Sequence, residues 1–396
     1  MDKRTVRDID VAGKRVLVRV DFNVEFDNGR ISDDSRIRGA LPTIEYLRER
    51  GAVVVLCSHL GRPGGKVVEE MRLAPVGERL SELLGAEVTC VAECVGPEVE
   101  AAVADAEPSD VLLLENLRFH PEEEKNDPDF ARALASVAEV FVQDGFGVSH
   151  RAHASTEGVT RYLPSVAGFL VESELAALGG LLESPARPLV AVLGGAKVSD
   201  KMGVLENFIE RVDSLLVGGG MAATFLKAKG LPIGASLVED DRVELASEVM
   251  ARAERGGARL VIPVDVVVAD AFSADAQSRT VDVENVPDGW RIMDIGHKTL
   301  DTFRAVAASG KTILWNGPMG VFEMPAFSRG TREFAAALGS LDGVTTVLGG
   351  GSTAEVVHEL GIADRITHVS TGGGASLEFL EGRTLPGVAA LLDKEA

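Results

Sequence analysis

Two parallel α/β domains of similar size, joined by a helix, are what this sequence predicts. Three observations carry the prediction. Short β-branched runs alternate with longer helix-period segments along almost all of the 396 residues. The apolar runs end directly in loops rich in glycine, arginine or histidine, as at the carboxyl edge of a parallel sheet. Near the middle, a helix-like stretch stops at SPARP (Ser184 to Pro188), and a fresh apolar strand follows.

In the first half the strand candidates are Val16–Val20, Val53–Cys57, Val111–Leu114 and Val140–Gln143, with amphipathic helices expected over Arg36–Arg50, Met71–Leu84 and Asp129–Ala138. Asp33, Asp34 and Ser35 are placed to cap the first of these helices. The second half offers Leu189–Leu193, Leu215–Val217, Leu260–Ile262, Thr312–Trp315 and Val344–Leu348. Strand, helix, strand over this length implies parallel layers with helices on both faces. The boundary falls near residues 165–188. Val171–Glu183 supplies the joining helix, with Leu175, Leu178, Leu181 and Leu182 as its apolar positions. Val266–Asp294 breaks the rhythm with alternating residues and an Asp288-Gly289 turn, which predicts a small appended β-hairpin. No low-complexity tract or short repeat interrupts the pattern.

A net charge of −21 argues against general binding to nucleic acid or to an anionic membrane. An acidic chain that takes an acidic metabolite must gather its cations locally, so basic clusters matter here. Cys57, Cys90 and Cys94 are too few for a disulfide framework and lack the partners for zinc, so buried thiols are expected. The opening MDKRTVRDID has no apolar signal core, and no run reaches the ~20 residues of a membrane span. A cytoplasmic protein is expected.

The strand ends carry the chemistry. VLVRV runs into Asp21-Phe22-Asn23; the next strand ends in CSHLGRP with His59, Leu60, Gly61 and Arg62; VLLLENLRFH delivers Arg118; VFVQDGFGVSHRAHAS delivers His150, Arg151 and His153. Taken singly, each arginine reads as a solvated charge. Several at one sheet edge of an acidic domain, with Arg36 near the start of the first helix, read as a pocket for a small polyanion, because guanidinium forks match phosphate and carboxylate. No carboxylate stands at ligand spacing from the histidines, so anion contact or polar packing is expected there in place of metal binding.

In the second half LGGAKVSDKMG follows a strand and opens a helix, which would set Lys197 and Lys201 on one helical face; it is not a Walker A sequence. LWNGPMGVFE carries Asn316 and offers Glu323 to ribose hydroxyls or to a helix cap. Three glycine triplets, Gly218–Gly220, Gly349–Gly351 and Gly372–Gly374, each end an apolar run at a helix start, where backbone N–H groups and the helix dipole favour anions. Each is equally compatible with a tight turn. The first two also fit a relaxed G-x-G-x-x-A pattern, but no acidic residue closes the next strand, which ranks a dehydrogenase low.

At this point the sequence resembles the phosphoglycerate kinase family, and from end to end: VRVDFNV, SHLGRP, ENLRFHPEEEKN, HRAHAST, LGGAKVSDK, GGGMAATFLK, WNGPMGVFE, GGGST and STGGGASLEFLEG occur in order. The resemblance implies two Rossmann-like three-layer αβα domains with parallel sheets and a hinge helix: residues 1–170 for 3-phosphoglycerate, 171–185 for the helix, 186–383 for nucleotide, with 384–396 returning to the first domain. It implies reversible phosphoryl transfer from 1,3-bisphosphoglycerate to ADP, in line and on domain closure, with Mg²⁺ accompanying ATP or ADP. Carried over by position, substrate binding falls on Asp21, Phe22, Asn23, Arg36, His59, Leu60, Gly61, Arg62, Arg118 and Arg151. Nucleotide binding falls on Lys197, Lys201, Asn316, Glu323, Gly349, Gly350, Gly351, Ser352 and Thr353. Arg36, Lys201, Gly373 and Gly374 are implied for the transferring phosphoryl group.

Two positions depart from the family's pattern. Ser352 stands where the family commonly has the Asp that holds magnesium, which leaves the metal ligands unassigned. His297 stands where proline is expected. A sensor that keeps the pocket but has weakened catalysis is the runner-up reading, lent weight by Ser352 alone; an NAD-dependent oxidoreductase comes third. The chain is expected to work as a monomer on small molecules, with neither nucleic acid nor membrane as partner.

Overall fold

A computed structural model describes residues 2–394, which form two compact units, one of residues 2–176 with 384–394 and the other Ala177–Arg383. The division falls inside a helix, Phe169–Glu183.

The first unit is built on a six-stranded parallel sheet in the spatial order Val88–Cys90, Val111–Leu113, Val53–Cys57, Arg15–Arg19, Val140–Gln143, Ser165–Ala167. Val16 lies opposite Val54 on one side and Val140 on the other. All five residues of Val53–Cys57 are buried, as an apolar strand with both faces covered requires. Burying each such Val or Leu contributes about 1.5–3 kcal/mol. Helix Ser35–Glu49 presents Ile37, Ala40, Ile44 and Leu47 inward, the spacing of one helical stripe. Helix Pro128–Ala135 begins at Asp127, whose carboxylate accepts from the N–H groups of Asp129 and Phe130 at 3.0 Å each. The C-terminal segment rejoins this unit. Arg4 N–H donates to Leu392 O at 2.8 Å, Gly387 N–H to Ser149 O at 2.9 Å, and Lys3 pairs with Asp393 in an antiparallel bridge. Residues 395–396, also expected in that segment, lie outside the described residues.

The second unit holds another six-stranded parallel sheet, in the order Arg259–Val261, Ser214–Val217, Leu189–Leu193, Thr312–Asn316, Thr345–Gly349, His368–Val369. Counted along the chain this is 3-2-1-4-5-6, the doubly wound order, and its direction of winding reverses between Leu189–Leu193 and Thr312–Asn316. The expected hairpin is a three-stranded antiparallel sheet instead, with Asp265–Ala269 between Ser278–Asp282 and Arg291–Ile295. Gly289 turns at φ +77°, as the Asp288-Gly289 signal requires.

Other differences have physical reasons. Val88–Cys90 and Ser165–Ala167 lie outside the expected strands; both are short and at the edges of the sheet, with little apolar sequence of their own, and beyond Ser165–Ala167 there is only an isolated bridge from Ala167 to Thr5. The short strand expected from Ile366 and Val369 ahead of Gly372–Gly374 is present as His368–Val369. Helix Pro97–Asp105 was missed as well. Cys57 and Cys94 are buried as expected, but Cys90 is exposed at the sheet edge. His297 is the first residue of helix His297–Ser309, a position where proline is tolerated because its N–H has no helical acceptor; here the imidazole Nδ1 instead lies 3.4 Å from Asp265, which is fully buried and accepts from the N–H groups of Lys298 and Thr299.

Candidate functional site

In the first unit four strand ends deliver the cationic edge. Asp21 follows Arg15–Arg19, is buried, and forms an ion pair with Nη1 of Arg36 from the first turn of helix Ser35–Glu49. That contact pins the guanidinium while leaving other donors of its fork for a ligand. Asn23 Oδ1 accepts from Gly61 N–H at 2.7 Å, tying the first loop to the second. Phe22 and Leu60 bury their side chains in the core, so only their backbone borders the edge. Asp33 accepts from Ser35 N–H at 2.8 Å, whereas Asp34 makes no capping hydrogen bond and pairs with Arg38 and Arg79.

Arg118 is buried, and its Nη1 donates to Gly61 O at 2.9 Å. Its Nε lies 3.4 Å from Glu124 and is buried without a hydrogen bond, a donor that an incoming anion would satisfy. Fully buried Asn116 staples the loops together: its Nδ2 donates to Leu60 O at 2.8 Å and Met71 O at 2.9 Å, and its Oδ1 accepts from Arg118 N–H. Half-buried Arg151 contacts His150 at 3.2 Å, and Arg62 is exposed.

His59 sits at the focus of this cluster. Burial pushes its pKa well below the ordinary histidine value, and the charges of Arg19, Arg118, Arg36 and Arg151 push it in the same direction. The imidazole is therefore neutral at physiological pH. The contacts of Gly61 with Asn23, Arg118 with Gly61, Arg19 with His59 and Arg36 with Asp21 bring these loops together. Arg19 was not singled out from sequence, nor were Glu123 and Ser155, which hold it. The available signal was a charged residue inside the apolar run VLVRV, since a strand covered on both faces hides an arginine only where partners await it.

In the second unit the loops after Leu189–Leu193 and Thr312–Asn316 meet at the reversal of the sheet. Lys201 is buried beside this point, and its Nζ donates to Asn316 Oδ1. Burial brings its pKa down to about 8, against the opposing pull of Asp200 and Glu381. Asn316 is fully buried, and its Nδ2 has no hydrogen-bond partner. The expectation that Lys197 and Lys201 share a helical face fails. Helix Met202–Phe208 starts after Lys201, which ends a short 3-10 turn, and Lys197 is exposed in the preceding coil. Glu323 is exposed in a turn.

Helix Gly351–Glu359 carries Ser352, half-buried in its first turn, and Thr353, whose Oγ1 donates to Gly350 O at 2.8 Å. First-turn N–H groups lack intrahelical acceptors and are available to an anion. Gly373 precedes helix Gly374–Leu380 at φ +52° with open space where a Cβ would stand. The following helix packs on Met202–Phe208, and Glu381 lies so close to Gly203 that a Cβ there would meet its carboxyl carbon at 2.5 Å. Among the described residues no group of three or more His, Cys, Asp or Glu could hold a metal ion. Nor is any helix among them long and apolar enough to cross a membrane.

The sequence model of the family described as phosphoglycerate kinase matches residues 6–383. The chain belongs to the phosphoglycerate kinase family. Two bacterial phosphoglycerate kinases illustrate the closeness. That of Chloroflexus aurantiacus (strain ATCC 29366 / DSM 635 / J-10-fl) is 59% identical over 400 residues, and that of Moorella thermoacetica 57% over 394, each alignment covering 100% of both chains. Among solved structures, phosphoglycerate kinase from Coxiella burnetii is 41% identical with a TM-score of 0.88, and that from Pyrococcus horikoshii OT3 is 34% identical with a TM-score of 0.85, each covering 98% of both chains. Membership makes the chain a phosphotransferase with a carboxyl group as acceptor and a nucleotide as co-substrate, and it leaves the sensor and oxidoreductase readings without support. Glu239, which follows the first glycine triplet at about the separation of a dinucleotide-site acid but precedes a helix, accepts from Ser199 N–H at 3.0 Å.

Proposed function

We propose that the acidic substrate, 3-phosphoglycerate or 1,3-bisphosphoglycerate, binds the first unit and that ADP or ATP binds the second. The observation that carries this reading is the gathering of Arg19, Arg36 and Arg118 with buried His59 on loops tied together by hydrogen bonds, in a chain of net charge −21. In this reading Asp21 orients Arg36; Asn23, His59 and the Gly61 backbone position the substrate; and Arg62, Arg118 and Arg151 neutralise its phosphate. Lys197, Lys201, Asn316, Glu323 and the Gly349–Thr353 loop hold the nucleotide. Arg36, Lys201 and the N–H groups of Gly373 and Gly374 stabilise the phosphoryl group in transit.

The chemistry asks little more. In one direction the nucleophile is the carboxylate of 3-phosphoglycerate, in the other a terminal oxygen of ADP, and both are ionised at neutral pH. No general base is needed. The bond from phosphorus to one oxygen breaks as the bond to the other forms, so catalysis reduces to in-line alignment, charge neutralisation and exclusion of water. The two bound ligands must come together for this, which is the reason for proposing closure about the joining helix. Magnesium would arrive with the nucleotide: Ser352 is neutral and the described residues form no carboxylate cluster, so phosphate and water oxygens are its expected ligands. A cytoplasmic monomer is the proposed working form, to be checked by light scattering.

The decisive test is turnover with 3-phosphoglycerate and Mg-ATP, in the parent and in Arg36→Ala. The parent should be active and the variant slower by at least about 10²-fold, the usual effect of losing one preorganised charge donor. An inactive parent would overturn the function. A near-normal variant would remove Arg36 from its role.

A further inference from the structure

Beneath the cationic edge lies a buried polar chain that the transfer chemistry does not itself require. Glu123, 1% exposed, receives Ser155 Oγ–H at 2.6 Å on one carboxylate oxygen and Ser155 N–H at 3.0 Å on the other. Ser155 Oγ in turn accepts from Arg19 Nε at 2.8 Å. Arg19, also 1% exposed, reaches His59 with Nη2, 3.2 Å from Nδ1, while its Nη1 donates to Val20 O. The four residues come from four separate parts of the chain: the central strand, the loop after Val53–Cys57, and the PEEEKN and HAST segments. Every member is at least nine-tenths buried, and each link is a hydrogen bond.

The direction of the last link is fixed by chemistry. A guanidinium can only donate, so Nδ1 of His59 must be the acceptor and cannot carry a proton. The ring is neutral, so its single proton resides on Nε2. We infer that Arg19, oriented through Ser155 by Glu123, is a positioning residue that fixes the His59 proton on Nε2 and so presents an N–H donor to the substrate anion. This rests on the proposed placement of 3-phosphoglycerate at the first unit. It explains why a fully buried glutamate stands under a site built to attract anions. Glu123 neutralises Arg19 from behind, so Arg19 serves His59 without adding an unpaired buried cation.

The environment supports the assignment from every side. Asp21 Oδ1 lies 3.9 Å from Nδ1, beyond hydrogen-bond reach, and cannot claim a proton there. Arg36, Arg118 and Arg151 all disfavour an imidazolium, leaving a neutral donor as the stable form. Burial opposes the charge of Glu123, but nearby His153, the charge of Arg19 and the hydrogen bonds from Ser155 prevail, holding its carboxyl below the ordinary glutamate value. The anchor is ionised when the enzyme works. His153 Nδ1, 3.7 Å from Glu123, completes the ring of groups facing this carboxylate.

The test is the long-range ¹H–¹⁵N spectrum of the histidines near neutral pH, with His59 assigned by its loss in His59→Gln. A pyridine-like Nδ1 and a pyrrole-like Nε2 are expected in the parent; an Nδ1–H tautomer, an imidazolium or a rapid mixture would overturn the relay. Arg19→Met should release the ring into mixed tautomers and raise its pKa, and an unchanged spectrum in that variant would also overturn it. Should Arg19→Met fail to fold, Glu123→Gln and Ser155→Ala take its place with the same expected direction. In these two variants KM for 3-phosphoglycerate should rise by up to about tenfold, the scale of one charge-assisted hydrogen bond, with KM for ATP unmoved. Equal changes in both KM values would mark a structural role and overturn the inference. His59→Gln separates this from the underlying placement: an unaltered KM for 3-phosphoglycerate there would overturn the substrate contact itself, whatever the tautomer.

Discussion

Lys201 should cost the unliganded protein stability while serving its activity, and the cost has a pH signature. Burial takes its pKa from 10.5 down to about 8. At 1.36 kcal/mol per pKa unit the drop corresponds to about 3 kcal/mol. Below about pH 8 both folded and unfolded states hold the proton, and the native state bears the full cost of a buried ammonium. Between about 8 and 10.5 the folded lysine is neutral while the unfolded one still binds its proton, so stability rises with pH. Above 10.5 the cost is gone. Lys201→Met removes this dependence. It also deprives Asn316 Oδ1 of its donor, at about 1–3 kcal/mol, so near neutrality the variant should be between unchanged and about 2 kcal/mol more stable. That offset is the same at every pH.

Urea unfolding of both proteins at about pH 7 and about pH 10 isolates the titration. The parent should gain about 2 kcal/mol on the variant between the two conditions. A difference that does not change with pH would refute the reasoning, because it would mean that Lys201 is not perturbed by burial. Turnover of Lys201→Met should fall by about 10²–10³-fold. Variant activity close to the parent's would separate the buried lysine from catalysis. A bound phosphate would restore the charge of Lys201, so nucleotide binding near pH 8 should take up a proton, visible as a dependence of the calorimetric heat on buffer ionisation enthalpy.

The remaining predictions concern other parts of the chain. Asp144 is buried, its Oδ2 has no hydrogen-bond partner, and burial lifts its pKa from 3.8 to about 7. The folded state keeps a proton that the unfolded state has lost, so stability falls as pH rises through this window. Asp144→Asn should gain on the parent by up to about 4 kcal/mol between about pH 4 and pH 7 in denaturant titrations, and parallel curves would contradict it. Ser352→Asp should lower the Mg²⁺ concentration for half-maximal rate; an unchanged Mg²⁺ titration would dispose of the idea that this position is a missing ligand. Gly373→Val meets no neighbouring atom but forces a β-branched residue to φ +52°, a strain of about 1–3 kcal/mol that should distort the loop. Turnover should then fall more than ADP affinity, and equal losses would reduce Gly373 to ordinary binding.

The fold was legible because parallel sheets advertise themselves. Val53–Cys57, Leu189–Leu193 and Val140–Gln143 are apolar strands with glycine, histidine or arginine directly after them, and each boundary was readable to within a residue. The edge strands were not readable, since Val88–Cys90 has one buried residue in three and no alternation to betray it. The individual cations of the edge were visible in the sequence, but their supports were hidden by context. Glu123 sits in PEEEKN, which reads as a solvated acidic run, yet it is the most deeply buried member of that run because Arg19 and Ser155 lie beneath it. Spacing misled at Lys197 and Lys201. Four residues apart means one face only inside a helix, and the chain between them is coil and a 3-10 turn.

The three glycine triplets show most clearly why a motif needs its backbone hydrogen bonds before it can be given a role. Gly218–Gly220 looks like an anion cradle, but Gly218 N–H donates to Leu193 O and Gly219 N–H to Met319 O, so those donors are spent. A Cβ on Gly219 would meet Gly195 N at 2.6 Å and Pro318 O at 2.7 Å: this triplet exists so that three loops can touch at the reversal of the sheet. Gly349–Gly351 divides its work. Gly349 makes room for Asn316, whose Nδ2 a Cβ would meet at 2.8 Å, and Gly351 opens a helix with no side chain nearby. Gly372–Gly374 is the opposite of the first. Only Gly372 N–H is committed locally, to Ser370 Oγ at 3.2 Å, and Gly373 is held at positive φ with empty space around its Cα. A glycine kept where nothing crowds it is kept for its conformation, and a loop conformation that leaves N–H groups uncommitted at a helix start suits transient contact with an anion. Identical letters therefore serve packing in one loop, support in the second and proposed catalysis in the third, and the sequence pattern by itself has no means of distinguishing them.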